Sequence, residues 1–464
     1  MKSDVVICGA GLAGLAAGHA LAREGSEVVV LERETRVGGL ARTLEHRGQR
    51  FDLGGHRLLT DSARVSSLVR DVVREPLLQV PRASKILLGG RYVDYPLRLL
   101  NAVSGLGLAA TLRILQGWLA AQLGRRRRRA VVSLEDWVVR HHGRPLFELF
   151  FKPYSEKVWG IDCTRISADW VAQRIQGLTL GEAVRQALVR RSACALRTLS
   201  AGFLYPARGI GGIAEGLRRE IGMRGVVRTG AVVTRLVHRA RRIERVLVRE
   251  GGASASCRGR EFVASLPLPA LVKALWPAPP AAVLEAAARL RYRDLLLVAV
   301  RIGRERVTDQ TWIYTPGRET SFGRVHEPKN WSARMGVPGE TLLVTEHFCS
   351  RGDAAWQGAD SALVGRTVQD LAALGLVRRD EVLDGTVVRV PCAYPLFEVG
   401  YGEACGVIGE YLAGFDNLHV VGRTGAFRYF NMDHAIESGL DAAAEVMARL
   451  AATPMRPART GTDA

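Results

Sequence analysis

DVVICGAGLAGLAAGHALAREGSEVVVLERETRVGGLART, residues 4–43, decides the fold. Its opening run, DVVIC at 4–8, reads as a buried strand. Gly9, Gly11 and Gly14 follow at G-x-G-x-x-G spacing and open an Ala/Leu-rich helix that ends near Gly25. A second strand over 27–31 ends on Glu32. Gly9 permits the tight turn, Gly11 lets backbone amides approach a pyrophosphate, Gly14 lets the helix pack on the strand, and Glu32 can accept both ribose hydroxyl protons. That spacing alone is weak and fits NAD as well as FAD. A second glycine-and-arginine turn, RVGGLART with Arg36, Gly38, Gly39, Arg42 and Thr43, is more than a plain NAD unit needs and points to FAD. The alternative is a Rossmann unit whose ligand is NAD or absent.

Composition bounds what surrounds this unit. The 464 residues exceed one ordinary core, so two interwoven domains are expected. Seven cysteines are scattered without C-x-x-C or His-rich spacing, which argues against a disulfide framework, a zinc site or any other metal centre. The chain runs straight into the nucleotide-binding strand, so the apolar stretch 5–21 reads as strand plus helix rather than signal peptide, and a cytoplasmic location is expected. Formal charge is +19, and nearly all the cations are arginine, with six lysines among 65 Lys+Arg. A positive surface favours phosphate-bearing or lipid-linked small-molecule substrates and contact with anionic lipid. Nucleic acid is not expected, because no aromatic-studded basic module or finger spacing is present. The densest cluster is the five arginines at 125–129, after a stretch from 99 to 124 whose one charge is Arg113. That charge and several glycines count against a membrane-spanning helix. Two substrate-domain helices that touch a membrane surface are one reading, and a solvated basic loop is the other.

The organisation reads as interleaved. Residues 1–80, 203–267 and 402–452 are assigned to a discontinuous FAD-binding domain, and 81–202 and 268–401 to a substrate domain, with a disordered tail at 453–464. Residues 81–200 read mostly as helices, with Trp137, Phe147, Phe150, Phe151, Trp159 and Trp170 available for core or pocket walls. A Gly-rich turn at 208–212 opens a helix. Strands follow at 226–236, 242–249 and 261–264, then a helix near 280–290 and strands at 295–302 and 341–348. A last strand at 418–421 ends on Gly422, and a helix starts after Met432.

This pattern resembles the flavoprotein superfamily of monoamine oxidases, protoporphyrinogen oxidase, phytoene desaturases and UDP-galactopyranose mutase, over nearly the whole chain. Four segments carry the resemblance: the N-terminal unit, FDLGGH at 51–56, ASLP around Ser265, and GRTGAFRYFNMDHAIESGLDAA at 422–443. The expected class is therefore α/β, with a glutathione-reductase-type FAD-binding Rossmann domain interleaved with a mixed α+β substrate domain. The resemblance implies that Gly54 and Gly55 bring backbone near the flavin ring and that Val233 reads the adenine edge. It also implies that Gly422 lies beside the pyrophosphate and that the Met432 amide approaches the pyrimidine carbonyl. His434 stands where the oxidases often have Gly. Phrases such as DYPLRLLN at 94–101, FFKPYSEKVWG at 150–160, HEPKNWS at 326–332 and AYPLFEVGY at 393–401 resemble a bacterial branch without naming a reaction.

Superfamily members share a cofactor but not a chemistry. The expectation is an oxidoreductase that passes a hydride equivalent from a small molecule to noncovalently bound FAD, no Cys standing near the C-terminal motif where the oxidases attach theirs. The alternatives are a redox-neutral sugar-nucleotide mutase that uses reduced flavin, or a noncatalytic flavin-stabilised protein at a membrane. His56 either acts near the flavin ring, as base or donor, or packs. Arg423, Arg428 and Tyr429 either clamp a substrate diphosphate or serve the FAD pyrophosphate or an internal carboxylate. Lys329 is a conceivable oxidase lysine, with a structural role the stronger reading. Asn431 and Asp433 either polarise the ring or cap the last helix, and Tyr394 and Tyr401 either line the open flavin face or pack.

Overall fold

The computed structural model describes residues 1–88, 90–94, 107–124, 130–175 and 202–452. The arginine run at 125–129, most of DYPLRLLN and the tail after 452 lie outside the described residues. The chain forms two compact units, 1–39 with 214–284 and 409–464, and 40–213 with 285–408.

The first unit is built on an eight-stranded sheet. Its parallel core runs from Ala253–Ala264 through Lys2–Cys8 and Val28–Leu31 to Val226–Arg228. Val5, Val6, Ile7 and Cys8 are all buried, as are Val28 to Leu31, which is what a parallel sheet covered on both faces requires. Ala253–Ala264 does two jobs. Its first half pairs antiparallel with Arg242–Glu250, itself antiparallel to Val232–Arg239, and its end, Phe262 to Ala264, pairs parallel with Leu418–Val420. The helix Leu12–Arg23 crosses the last helix, Met432–Ala452, with no room for a side chain at Gly439, whose added Cβ would run into the Ala13 backbone.

The second unit has a seven-stranded sheet in the order Val382–Pro395, Tyr292–Ile302, Thr341–Cys349, Arg324–His326, Trp312–Tyr314, Ser84–Leu88, Arg91–Asp94. Alternation along Tyr292–Ile302 splits its apolar residues between two cores. Leu295, Leu297 and Ala299 pack with Phe51 and Leu53, and Val298, Val300 and Ile302 pack with Leu371 of the helix Asp360–Ala373. The segment after 81 opens with two strands, not helices. Ser84–Leu88 and Arg91–Asp94 pair antiparallel around a Gly-Gly turn sequence, and the helices Leu108–Gly124, Leu134–His142, Lys152–Trp159 and Ala168–Ile175 come after. Within 99–124 the described part, from 107 on, holds the helix Leu108–Gly124, and 99–106 lie outside the described residues.

Residues 40–80, read from the sequence with the nucleotide-binding part, belong to the second unit. The hairpin Thr43–His46/Gln49–Asp52 is tied there by side chains, and Leu77–Pro81 pairs with Gly202–Pro206. Trp159 and Trp170 meet edge to face at 5.0 Å, so both are core.

Candidate functional site

In the first unit two glycine turns interlock. The Gly38 amide donates to the Ala10 carbonyl (2.7 Å), Gly11 and Gly38 form a parallel bridge, and a Cβ on Gly39 would sit 3.1 Å from Gly11 Cα. Gly9 (φ +105°) and Gly38 (φ +109°) hold backbone conformations that L side chains rarely adopt. A Cβ on Gly14 would collide with the Gly9 carbonyl oxygen, and one on Gly9 with the Ser265 hydroxyl. Gly11 is different. A Cβ there would meet no protein atom within 4 Å, so packing does not require glycine at this position. Gly11 is also the N-cap of Leu12–Arg23, with no side-chain cap and no acidic residue in the first turn. The first amides of that helix are thus left for an anion.

Glu32 is buried beside these turns. Its Oε2 accepts from the Ala10 amide (2.8 Å) and its Oε1 from the Glu34 amide (3.0 Å), which fixes the carboxylate and leaves further lone pairs for ribose hydroxyls. The Ala231 amide donates to the Glu32 carbonyl (2.8 Å), so the strand carrying Val233 starts next to Glu32. The ladder slips between Val233 and Arg235. Ser265 ties the end of its strand to the first turn, its hydroxyl donating to the Cys8 (3.1 Å) and Gly9 (3.3 Å) carbonyls. Acceptor carboxylate, amide-rich turns and a glycine with open space beside it fit the adenosine and pyrophosphate of FAD.

The C-terminal motif lies in the same unit. Gly422 (φ +79°) follows the strand Leu418–Val420; its added Cβ would press on Ala13 Cβ at 3.1 Å, and its amide donates to Ser438 Oγ (3.1 Å). Arg423 stacks on the Tyr429 ring at 4.7 Å, whereas Arg428 is exposed, so the structure joins two of the three candidate clamp residues. Met432 opens the last helix. The Asn431 amide donates to His434 Nδ1 (3.3 Å), so His434 caps the helix start that a glycine could not. Asp433 is buried in the first turn of that helix.

In the second unit, Arg42, Gly54, Gly55 and His56 surround the end of the hairpin. The Arg42 carbonyl accepts from the Leu53 amide (3.1 Å). Asp52 is an anchor rather than a ligand group. It accepts from Thr43 Oγ1 (2.6 Å), Tyr205 Oη (2.6 Å) and the Ile210 amide (3.1 Å). Burial outweighs those bonds and pushes its carboxyl from 3.8 up to about 6. Gly54 (φ +101°) then turns the chain so that the Gly55 amide donates to Glu346 Oε1 (3.1 Å). His56 Nδ1 lies 3.2 Å from the Gly54 carbonyl. A carbonyl only accepts, so Nδ1 is the donor in this contact.

Behind this turn is a charged network that the sequence reading missed. Glu346 is buried and pairs with Arg324 Nη2 at 2.7 Å, which also donates to Tyr394 Oη (3.0 Å). Burial opposes the Arg324 charge, but Glu346 and nearby tyrosines outweigh it and hold the guanidinium well above its usual range. His326 stacks on Trp331 at 5.2 Å; burial, then Arg324 and His56, push it down to about 3, so it is neutral. Arg57 and Arg82 both lie over Trp312, at 5.1 and 5.7 Å. A Glu in the strand Thr341–Cys349, which holds no other Asp, Glu, Lys or Arg, was the available signal, since unpaired carboxylates are rarely buried. Lys329 holds a loop, donating to the Val337 (3.2 Å) and Glu340 (3.0 Å) carbonyls and pairing with Glu305. Tyr394 joins the Arg324 network, while Tyr401 lines a cleft of about 400 Å³ with Arg165, Arg289 and Glu398. Among the described residues no His/Cys/Asp/Glu group could hold a metal ion.

A parallel β-α-β unit with interlocked glycine turns and a buried acceptor carboxylate defines a dinucleotide-binding α/β protein. Residues 12–447 match the family described as flavin containing amine oxidoreductase, and the chain belongs to that family. As a member of that family it is a flavoprotein, with FAD as its cofactor. Sequence relatives match over short stretches. A putative flavin-containing monoamine oxidase, AofH, of Mycobacterium tuberculosis is 52% identical over 52 residues, 11% of this chain and 12% of its own length. All-trans-retinol 13,14-reductase of Homo sapiens is 47% identical over 55 residues, 12% of this chain and 9% of its own. Similar solved structures include a reduced UDP-galactopyranose mutase (TM-score 0.83, 20% identity, 96% of each chain). A putative protoporphyrinogen oxidase from Exiguobacterium sp. 255-15 has a TM-score of 0.72 at 17% identity, over 96% of this chain and 99% of that one. These likenesses establish the shared fold.

Proposed function

We propose that the chain dehydrogenates a small-molecule substrate, with FAD held noncovalently. Bound FAD supplies the hydride acceptor. The observation that carries the cofactor half of this reading is the uncapped helix start at Gly11, a glycine that packing within the chain does not require, next to the buried Glu32 carboxylate. Glu32 would hold the ribose and the amides that follow Gly11 the pyrophosphate, with Val233, Gly422 and the Met432 amide completing the cradle. Gly54, Gly55 and Arg42 would serve the ring side. His56 is the proposed catalytic residue, acting as the base that takes a proton as the substrate is oxidised. Neutral His326 adds no charge to oppose that protonation. The +19 charge favours a phosphate-bearing or lipid-linked substrate.

The test is anaerobic. A substrate of a dehydrogenase bleaches the oxidised flavin, and oxygen or another acceptor restores it. Candidate compounds that perturb the absorbance without bleaching it, yet turn over only on pre-reduced enzyme, would contradict net oxidation. The stacking of Arg423 on Tyr429 favours a second reading, a redox-neutral mutase in which this pair grips a diphosphate. On that reading Arg423→Ala weakens binding of a nucleoside diphosphate to reduced enzyme at normal FAD content. Loss of FAD instead assigns Arg423 to the cofactor.

A further inference from the structure

The helix Leu108–Gly124 buries one side and exposes the wrong residues on the other. Gly117 and Thr111 face its neighbours: a Cβ on Gly117 would run into the Pro145 ring, Thr111 is buried, and Gln122 Nε2 donates to the His141 carbonyl (3.3 Å). On the opposite side Leu108, Leu112, Leu119 and Leu123 are 65%, 49%, 53% and 82% exposed. At about 100° per residue these four fall within an arc of about 60°, and Gly117 lies about 180° from Leu108. Ala109, Arg113, Gln116 and Ala120 widen the exposed side, which holds no acidic residue. Leucines aligned on the face that a surface helix normally gives to charged groups need a partner.

Charge selects that partner. Residues 95–134 hold seven arginines and no Asp, Glu or Lys, and in sequence the helix runs directly into the arginines at 125–129. A second copy of the same face would bring like charges together, since an isologous contact sets a patch against itself. An anionic bilayer offers apolar depth and opposite charge together. Among the described residues no helix is long and apolar enough to cross a membrane. We propose that Leu108–Gly124 is a membrane-surface helix, lying in the interface of an anionic bilayer with its leucine ridge inserted. The inference is independent of the reaction catalysed.

Flotation of the flavin-loaded full chain tests it, with vesicles of phosphatidylcholine alone or mixed with phosphatidylglycerol. The expected result is recovery with the anionic vesicles at least about tenfold above that with neutral ones, reduced by salt, and at least about tenfold lower for Leu112→Gln/Leu119→Gln. Flavin content and melting temperature report whether that variant is folded. If it is not, the single change Leu123→Gln at the exposed helix end is read instead, with the same direction of effect. Wild type that stays off anionic vesicles, or a folded variant that floats as well as wild type, overturns the proposal. So does a wild-type dimer in light scattering that the variant converts to monomer, because a second copy would then cover the ridge.

Discussion

The two glycine turns of this chain, Gly9 to Gly14 and Gly54–Gly55, are held by different means. The first is closed mostly by backbone: carbonyls and amides of neighbouring turns satisfy one another, with the Glu32 carboxylate and the Ser265 hydroxyl attached to it. Most of such a structure follows from local sequence spacing. The second turn leans on buried charge from far along the chain, Asp52 beneath it and the Glu346–Arg324 pair behind it. Backbone rigidity suits a group that must grip a fixed cofactor, while a buried charged network sets the electrostatics around His56, the residue proposed to exchange a proton.

Breaking the second network is therefore expected to be the costliest change. Arg324→Ala leaves Glu346 buried and uncompensated, with an expected loss of about 3–5 kcal/mol. The double change Arg324→Met/Glu346→Leu should recover more than half of that loss, because it removes both charges. Urea midpoints for the three proteins check this, and equal midpoints for wild type and Arg324→Ala would remove the network from the account.

His56→Ala sharpens the contrast from the chemical side. Flavin reduction by substrate should slow by about 10²- to 10⁴-fold, the usual worth of a general base. FAD occupancy should stay normal, as measured by stopped-flow absorbance and flavin content. A variant that reduces its flavin at the wild-type rate would assign His56 to packing.

Asp52 gives a pH signature. Its carboxyl pKa is raised by burial from 3.8 to about 6, so between those values the folded chain binds more protons than the unfolded one. Stability therefore falls as pH rises through this window and levels off above it, by roughly 3 kcal/mol for a shift of about 2 units. Asp52→Asn should flatten that part of the stability profile, since it keeps an acceptor for Thr43 and Ile210. A variant profile parallel to wild type from pH 4 to 6 would show that Asp52 is not the group titrating.

Legibility in the sequence followed the same division. The strand, turn and helix of 2–23, the RVGG turn and the Gly422 strand end depend on contacts within a few residues or on glycine spacing, and they were readable. The Ser84–Leu88/Arg91–Asp94 hairpin was missed although SKILLGGRYVD holds a Gly-Gly turn between two strand-like runs, because the helical reading of the following segment was extended over it. Glu346 lies 291 residues from Gly55, and no local spacing could join them. The FDLGGH segment is legible for its glycines, but the bonds of its Asp52 to Tyr205 and Ile210 are non-local, as is the membership of 40–80 in the second unit.

On this reading the first turn, with Glu32, binds the cofactor, whereas His56 acts on chemistry. Its most direct test is the FAD dissociation constant of apo-protein reconstituted as wild type, Glu32→Ala and His56→Ala. Removing Glu32 takes away charge-assisted bonds to the ribose worth about 1.5–3 kcal/mol each, so the predicted constant rises by at least about tenfold. His56→Ala should stay within about threefold of wild type, under 1 kcal/mol of binding energy. Equal affinity in wild type and Glu32→Ala, or a larger loss in His56→Ala than in Glu32→Ala, would contradict it.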